Sequence, residues 1–224
     1  MAKKQDDDKL AAALKAVEEM RPGIKVGLGT GSTVSYFIEA LGKEGLDVPV
    51  VCSSRDSEQK ATKAGLKIME LNKAISDSNR PMLDVYVDGA DEIDPLYNMI
   101  KGGGGALTRE KIVAAASLEF ICIVDGSKIV KQLGKFPLPI EVLEFAEVYV
   151  TNELTELGGQ VVKRKGFKTD EGNIILDVTG LDFSDPLQLE TELNNIPGVV
   201  ENGIFSVRNA DKVIVGKNGK AEYI

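Results

Sequence analysis

Residues 24–41 read IKVGLGTGSTVSYFIEAL. IKVGLG is a short buried strand, the glycines make a tight turn, and a helix begins at Ser32-Thr33. A strand, a glycine-rich turn and a helix form the opening step of a β-α alternation, and the next hundred residues repeat it. VPVVCSS, KIMEL, LDVYVDGA and EFICIVDGS read as further strands, and SEQKATKAGL and TREKIVAAASLE read as helices. This order predicts a doubly wound α/β domain, with a mostly parallel sheet and helices on both faces. A first helix over about residues 9–20 precedes it. The start, MAKKQDDDKLAAAL, lacks the apolar core of a signal peptide and reads as a solvated end.

The pattern changes after residue 131. Pro137 and Pro139 suggest a boundary. FAEVYV looks strand-like, NIILDV is a strand, PLQLETELNNI is helical, and VVENGIFSV follows Gly198. This mixture predicts a second, smaller α+β domain over residues 132–205. The α/β domain then comprises 1–131 and 206–224, with the last strands returning to it.

Composition narrows the chemistry. The chain has 224 residues, 43 % hydrophobic and 28 % charged, with a net charge of −8. That is an ordinary globular balance, and its sign argues against a nucleic-acid or anionic-membrane partner. No run of about 18 apolar residues would cross a bilayer. Two cysteines, Cys52 and Cys122, are too few for a disulfide framework and suit a reducing cytoplasm. The chain has no histidine. Ser-His-Asp and Cys-His catalysis are therefore excluded, and so are the commonest zinc sites. Acid–base work must fall to Asp, Glu, Lys, Tyr or Cys.

Four connections carry chemistry, and in an open parallel sheet the ligand crevice lies beyond the C-terminal strand ends. In the turn Thr30, Gly31, Ser32, Thr33, backbone N–H groups and hydroxyls make an anion cradle at a helix N-terminus; the plainer reading is an ordinary tight turn. It is neither a P-loop nor a good dinucleotide fingerprint. DVYVDGADEID places Asp88 and Asp91 around Gly89-Ala90, where two carboxylates could share one space and shuttle protons. Asp91, Glu92 and Asp94 also fit a solvated turn or a Mg²⁺ site. KGGGGALTREK puts Lys101, then Gly102, Gly103, Gly104 and Gly105, ahead of a helix with Glu110 in its first turn. Glycines let backbone approach a ligand closely, and Thr108 or a neighbour could cap the helix. Lys128, in VDGSK, stands at the same predicted sheet edge. Hydroxyls, carboxylates, lysines and a glycine loop together suit proton transfer on a small phosphorylated substrate.

GLGTGST, YVDGADEID, KGGGGALTREK, DGSK and LGKFPLP, in this order, resemble ribose-5-phosphate isomerase of type A. The likeness continues through TDEGNIILDV and NNIPGVVENGIF. The resemblance implies interconversion of D-ribose 5-phosphate and D-ribulose 5-phosphate through a cis-enediolate, in the non-oxidative pentose phosphate pathway, with no metal and no organic cofactor. It implies that Glu110 is the proton-transferring base, that Asp88 and Asp91 act near the sugar's reactive end, and that Lys101 holds enediolate charge. By the same resemblance Thr30, Gly31, Ser32, Thr33, Gly102, Gly103, Gly104, Lys128 and Lys9 bind substrate, and the protein is a cytoplasmic homodimer or homotetramer. Ring opening falls to Asp88, with Asp91 close by. Two segments follow the family loosely, KAISDSNRPM and CSSRDSEQKA. A non-catalytic sugar-phosphate sensor and a coenzyme A transferase relative with Glu110 as nucleophile are the competing readings. The lysine-anchored anion site fits a phosphosugar better than the transferase reading.

Overall fold

The computed structural model describes residues 2–76 and 82–224. Part of the loosely matching KAISDSNRPM segment therefore lies outside the described residues. In chain order the elements are α1 (Ala2–Val17), β1 (Val26–Leu28), α2 (Ser32–Glu44), β2 (Pro49–Cys52), α3 (Arg55–Lys63), β3 (Lys67–Ile68), α4 (Leu71–Ile75) and β4 (Leu83–Asp88). Two short strands follow, β5 (Glu92–Ile93) and β6 (Met99–Ile100), then α5 (Leu107–Ala115) and β7 (Ser117–Asp125). Next come β8 (Leu138–Val142), α6 (Glu147–Glu156), β9 (Gln160–Lys163), β10 (Ile174–Thr179), α7 (Pro186–Asn194), β11 (Val199–Asn202) and β12 (Ile204–Phe205). The hairpin β13 (Lys212–Lys217) and β14 (Lys220–Tyr223) ends the chain.

These elements form two compact units. The first comprises 1–89, 109–128 and 210–224. Its sheet runs β14-β13-β7-β4-β1-β2-β3 and is parallel except for the terminal β13–β14 pair. Chain order reverses at the β1–β4 pair, because β2 and β3 build outward on one side and β4, β7 and β13 on the other. This is the doubly wound topology that the strand–helix alternation predicts.

Alternation along each strand assigns the faces. Val26, Leu28, Val85, Val87, Ile121 and Ile123 join Ala12 and Ala13 of α1 and Phe37 and Leu41 of α2 in one apolar core. On the opposite face Gly27 leaves room for larger neighbours. A Cβ there would stand 2.8 Å from the Tyr86 ring and 2.7 Å from Val113 of α5. Tyr86 packs against Phe120, with ring centroids 4.9 Å apart. Local signals set the helix ends. Gly45, at φ 63°, ends α2, and Ser54 and Ser57 form a reciprocal capping box on α3.

The second unit comprises 90–108 and 129–209. It has an antiparallel sheet of order β11-β8-β10-β9 and a three-stranded sheet of order β12-β6-β5. Ile140 and Val142 of β8, Leu176 and Val178 of β10, Val150 and Leu154 of α6, and Leu193 of α7 share its core. Here the structure departs from the sequence expectation in four places. Residues 90–108 belong to this unit, because β5 pairs with β6, β6 pairs with β12, and Ile100 packs into the same core. FAEVYV is not a strand but leads into α6: Val150 and Leu154, four apart, are buried, while Phe145 and Val148 are exposed. Pro139 does not end a segment. It lies inside β8, and its carbonyl accepts from Gly203 N–H at 2.8 Å. Helix α1 begins before residue 9 and ends at Val17.

Phe37 is fully buried against α1 and the sheet. Replacing it with alanine is expected to lower unfolding stability by about 3–5 kcal/mol, read from the urea midpoint of the far-UV circular dichroism signal.

Candidate active site

In the first unit, Asp88 ends β4 beside the turn that follows β1, at the point where strand order reverses. Its carboxylate is completely buried. Oδ1 accepts from the Thr30 N–H at 3.0 Å and from the Gly89 N–H at 2.7 Å, and Oδ2 accepts from the Tyr86 hydroxyl. Gly29 makes this contact possible. A Cβ at that position would lie 1.9 Å from Asp88 Cγ.

The Tyr86 phenol is pushed well above its ordinary value. Burial is the main cause, and the negative charges of Asp88 and Glu110 add to it. Tyr86 therefore keeps its proton and donates it to Asp88. A second line of hydroxyls meets this cluster. Thr30 Oγ1 lies 2.8 Å from Ser54 Oγ and 3.1 Å from Ser53 Oγ. The turn is thus tied to β2 and β4. Gly31 holds φ 119°, a backbone setting that favours glycine, and no side chain caps α2. Its first N–H groups, with exposed Gly31 and Ser32 and buried Thr33, keep the donor set of an anion cradle.

Glu110 is the fourth residue of α5 and only 3 % exposed. Thr108 lies within that helix and does not cap it from outside. Its hydroxyl donates to Glu141 at 2.5 Å. Lys128 lies in a short turn after β7, two strands from β1 in the sheet order. Its charge acts on Asp125. Burial raises that carboxyl, but the Ser127 hydroxyl and amide, the Gln5 amide and Lys128 together hold it below its usual range. Lys9, half-buried, stands one helical turn beyond Gln5, whose amide reaches Asp125 at 3.3 Å. Lys128 is thus associated with the Asp125 edge, and Lys9 stands on the helix whose Gln5 reaches it.

In the second unit, Asp91 Oδ2 accepts from the Gly103 N–H at 2.7 Å. Asp88 and Asp91 therefore have separate partners. Glu92 and Asp94 are occupied as well. Glu92 receives the amides of Gly134 and Phe136 at 2.8 and 2.7 Å, and Asp94 receives those of Leu96 and Asn98 at 2.8 and 2.9 Å. These contacts make Glu92 and Asp94 supports of local backbone rather than a cluster with Asp91. Lys101 is not a solvated lysine. It is 2 % exposed, its Nζ lies 5.3 Å from the Phe205 ring centroid, and its N–H donates to Gly203 O at 2.9 Å. Gly102 and Gly105 are buried, and Gly103 and Gly104 are exposed. Arg164 reaches the same loop through Gly102 O and Gly103 O. Sequence reasoning missed Ser53, Ser54, Tyr86 and Arg164. The Ser-Ser pair after β2 was the one visible sign of the first two.

Comparison with known proteins fits this set of groups. The family profile described as Ribose 5-phosphate isomerase A (phosphoriboisomerase A) matches residues 49–220. The chain belongs to this family. Ribose-5-phosphate isomerase A of Acidithiobacillus ferrooxidans is 52 % identical over 212 residues, 94 % of each protein. The crystal structure of ribose 5-phosphate isomerase A from Neisseria gonorrhoeae superposes with a TM-score of 0.94 at 46 % identity, covering 98 % of this chain and 96 % of that one. A D-ribose-5-phosphate isomerase in complex with phospho-erythronic acid gives a TM-score of 0.91 at 40 % identity, over 97 % of both chains.

Gly29→Ala should force the Asp88 carboxylate off its three donors. Isomerase activity is expected to fall about 10²-fold, since a displacement of this order costs that much, while the circular dichroism spectrum is retained. Activity near that of the unmodified chain would mean the Asp88–Thr30 tie does not matter to turnover.

Proposed function

We propose that this protein interconverts D-ribose 5-phosphate and D-ribulose 5-phosphate by ring opening and proton transfer through a cis-enediolate. The observation that carries this reading is a pair of buried charges, Lys101 and Glu110, at 2 % and 3 % exposure on either side of the glycine run. Burying charge opposes folding, so such groups mark a site where chemistry uses them.

The roles follow from chemistry and access. The furanose must first open, which removes a proton from the anomeric hydroxyl and delivers one to the ring oxygen. Asp91, half-buried, is the aspartate a sugar hydroxyl can reach. Asp88, closed off by its three donors, fixes the Thr30 turn. This shifts the ring-opening role from Asp88 to its neighbour. Glu110 then takes the C2 proton of the aldehyde. As the C2–H bond breaks, its electron pair forms the C1–C2 double bond, and charge collects on O1. Lys101 and loop N–H groups stabilise that charge. A proton passes from O2 to O1, and Glu110 returns its proton to C1, giving the ketone. The Thr30–Thr33 turn, Lys128 and Lys9 are the candidates for the phosphate, whose remote binding energy orients the reacting carbons. Phospho-erythronic acid, bound in a 40 % identical relative, is a phosphorylated acid with a planar, charged carboxylate where the enediolate would be planar and charged. That supports the enediolate reading.

We place the reaction in the non-oxidative pentose phosphate pathway, in a reducing cytoplasm. Cys52 and Cys122 are both free thiols, and burial pushes Cys52 up to about 12, which keeps it unreactive. Among the described residues no helix is long and apolar enough to cross a membrane. A homodimer or homotetramer is supported by the exposed apolar run Leu143, Phe145, Val148 and Tyr149, a surface that self-association would cover.

Two variants test the two halves of the mechanism in D₂O. Glu110→Gln is expected to abolish both ribulose 5-phosphate formation and solvent deuterium entry at C1, while ribose 5-phosphate still binds. Turnover by this variant would remove Glu110 as the base. Asp91→Asn is expected to slow conversion of ribose 5-phosphate far more than C1 exchange in ribulose 5-phosphate. That ketose carries its phosphate on O5 and has no ring to open. Equal losses in the two measurements would take ring opening away from Asp91.

A further inference from the structure

Arg164 follows β9 and carries no charge-pair role that turnover would need. Its guanidinium instead makes two sets of contacts. Nε and Nη2 grip Asp177 of β10, at 2.9 and 2.5 Å to its two carboxylate oxygens. Nη1 donates into the glycine run, at 3.5 Å to Gly102 O and 3.2 Å to Gly103 O. The group also lies 5.3 Å from the Phe167 ring centroid. Phe167 fills the space beside Gly105, where a Cβ would come within 2.2 Å of the ring.

The consequence comes from peptide geometry. No peptide bond among the described residues is cis. In a trans peptide the carbonyl and the following N–H point in opposite directions. A carbonyl turned toward Arg164 therefore turns the next N–H away from it. For Gly102 O the next N–H is that of Gly103, and it meets Asp91 Oδ2 at 2.7 Å. For Gly103 O the next N–H is that of Gly104, which likewise points away from Arg164. The Asp177 carboxylate orients the guanidinium, the guanidinium orients two carbonyls, and the carbonyls aim two amides.

We propose that Arg164, held by Asp177, is a positioning residue that presents the Gly104 amide as a donor to the charge forming on the sugar. This rests on the isomerase reading above and adds a specific donor with the means of aiming it. Arg164 itself touches no reacting atom. Lysine cannot replace it, because one ammonium cannot grip both carboxylate oxygens and still reach the two carbonyls.

The test compares Arg164→Lys and Asp177→Asn with the unmodified full chain. Steady-state kinetics with ribose 5-phosphate are measured alongside the dissociation constant of phospho-erythronic acid, with thermal melts as a control. A donor aimed at the transition state predicts that kcat falls about 10- to 10²-fold in Arg164→Lys, somewhat below the cost of deleting such a donor outright. KM should change little. Affinity for phospho-erythronic acid should fall by about the same factor as kcat/KM, as expected of a transition-state mimic. Asp177→Asn should move the same quantities in the same direction by less. Unchanged kcat and analogue affinity, or equal weakening of substrate and analogue, would overturn the proposal. So would losses that merely track the melting temperature. If Arg164→Lys does not fold, Asp177→Asn decides by the same criteria. Absence of ribose 5-phosphate turnover by the unmodified chain would instead defeat the isomerase reading itself.

Discussion

The Asp88 carboxylate ties the end of β4 to the turn after β1, and the geometry of the first unit's sheet edge depends on that tie. Parallel neighbours in a sheet share hydrogen bonds only along their length, so the loops beyond them need another constraint. Here one carboxylate receives the Thr30 amide, the Gly89 amide and the Tyr86 hydroxyl. Two glycines make it possible. Gly27 gives space to Tyr86, and Gly29 gives space to Asp88 itself. These glycines serve close approach, not a reversed backbone, since neither holds a positive φ.

The chain's charge sets a second constraint. A protein of net charge −8 has an unfavourable field for a phosphorylated ligand. Adding many lysines would correct the field but would spend side-chain entropy on each one ordered. In the proposed function backbone takes that part instead. The uncapped start of α2 and the amides of the glycine run supply donors that carry no net charge. The buried Lys101 and the half-buried Arg164 have assigned neighbours, Phe205 and Asp177. Arg164 and Asp177 cancel each other's charge, so the pair can direct backbone without changing the local field.

Much of this was legible in the sequence. The first unit's β-α alternation gave its strands, and the strand ends gave Thr30, Asp88 and Lys128 their places. The second unit was less legible because its short elements are decided by partners, not by local pattern. β5 and β6 have two residues each, too few to show a period, and exist because β5 pairs with β6 and β6 with β12. FAEVYV has the β-branched and aromatic composition of a strand, yet Val150 and Leu154 share a helical face that a period of 3.6 would reveal only over a longer window. Tyr86 lies within the predicted strand LDVYVDGA and is a core aromatic. Its hydroxyl became significant only when Asp88 was seen at its tip. Arg164 had no signal at all, because it acts on carbonyls, and carbonyls have no letter in a sequence.

The four glycines after Lys101 show how conformational freedom in sequence differs from freedom in structure. Ordering backbone costs about 1–2 kcal/mol per residue, and more for glycine. An unsupported run would therefore be a poor place for a donor that has to be aimed before substrate arrives. Each end of this run is pinned. Gly102 holds φ 96° with Leu107 and Pro139 against it, and its carbonyl accepts from the Gly105 N–H at 2.8 Å. Gly105 holds φ 80° under the Phe167 ring. Only Gly103 and Gly104 stay exposed, and Arg164 holds the Gly103 carbonyl that lies between them. The absence of side chains lets a ligand come close, and the pinning makes that approach reproducible. The long reach from β9 to this loop is explained by that division of labour, in which the glycines supply access and residues remote in sequence supply the rigidity.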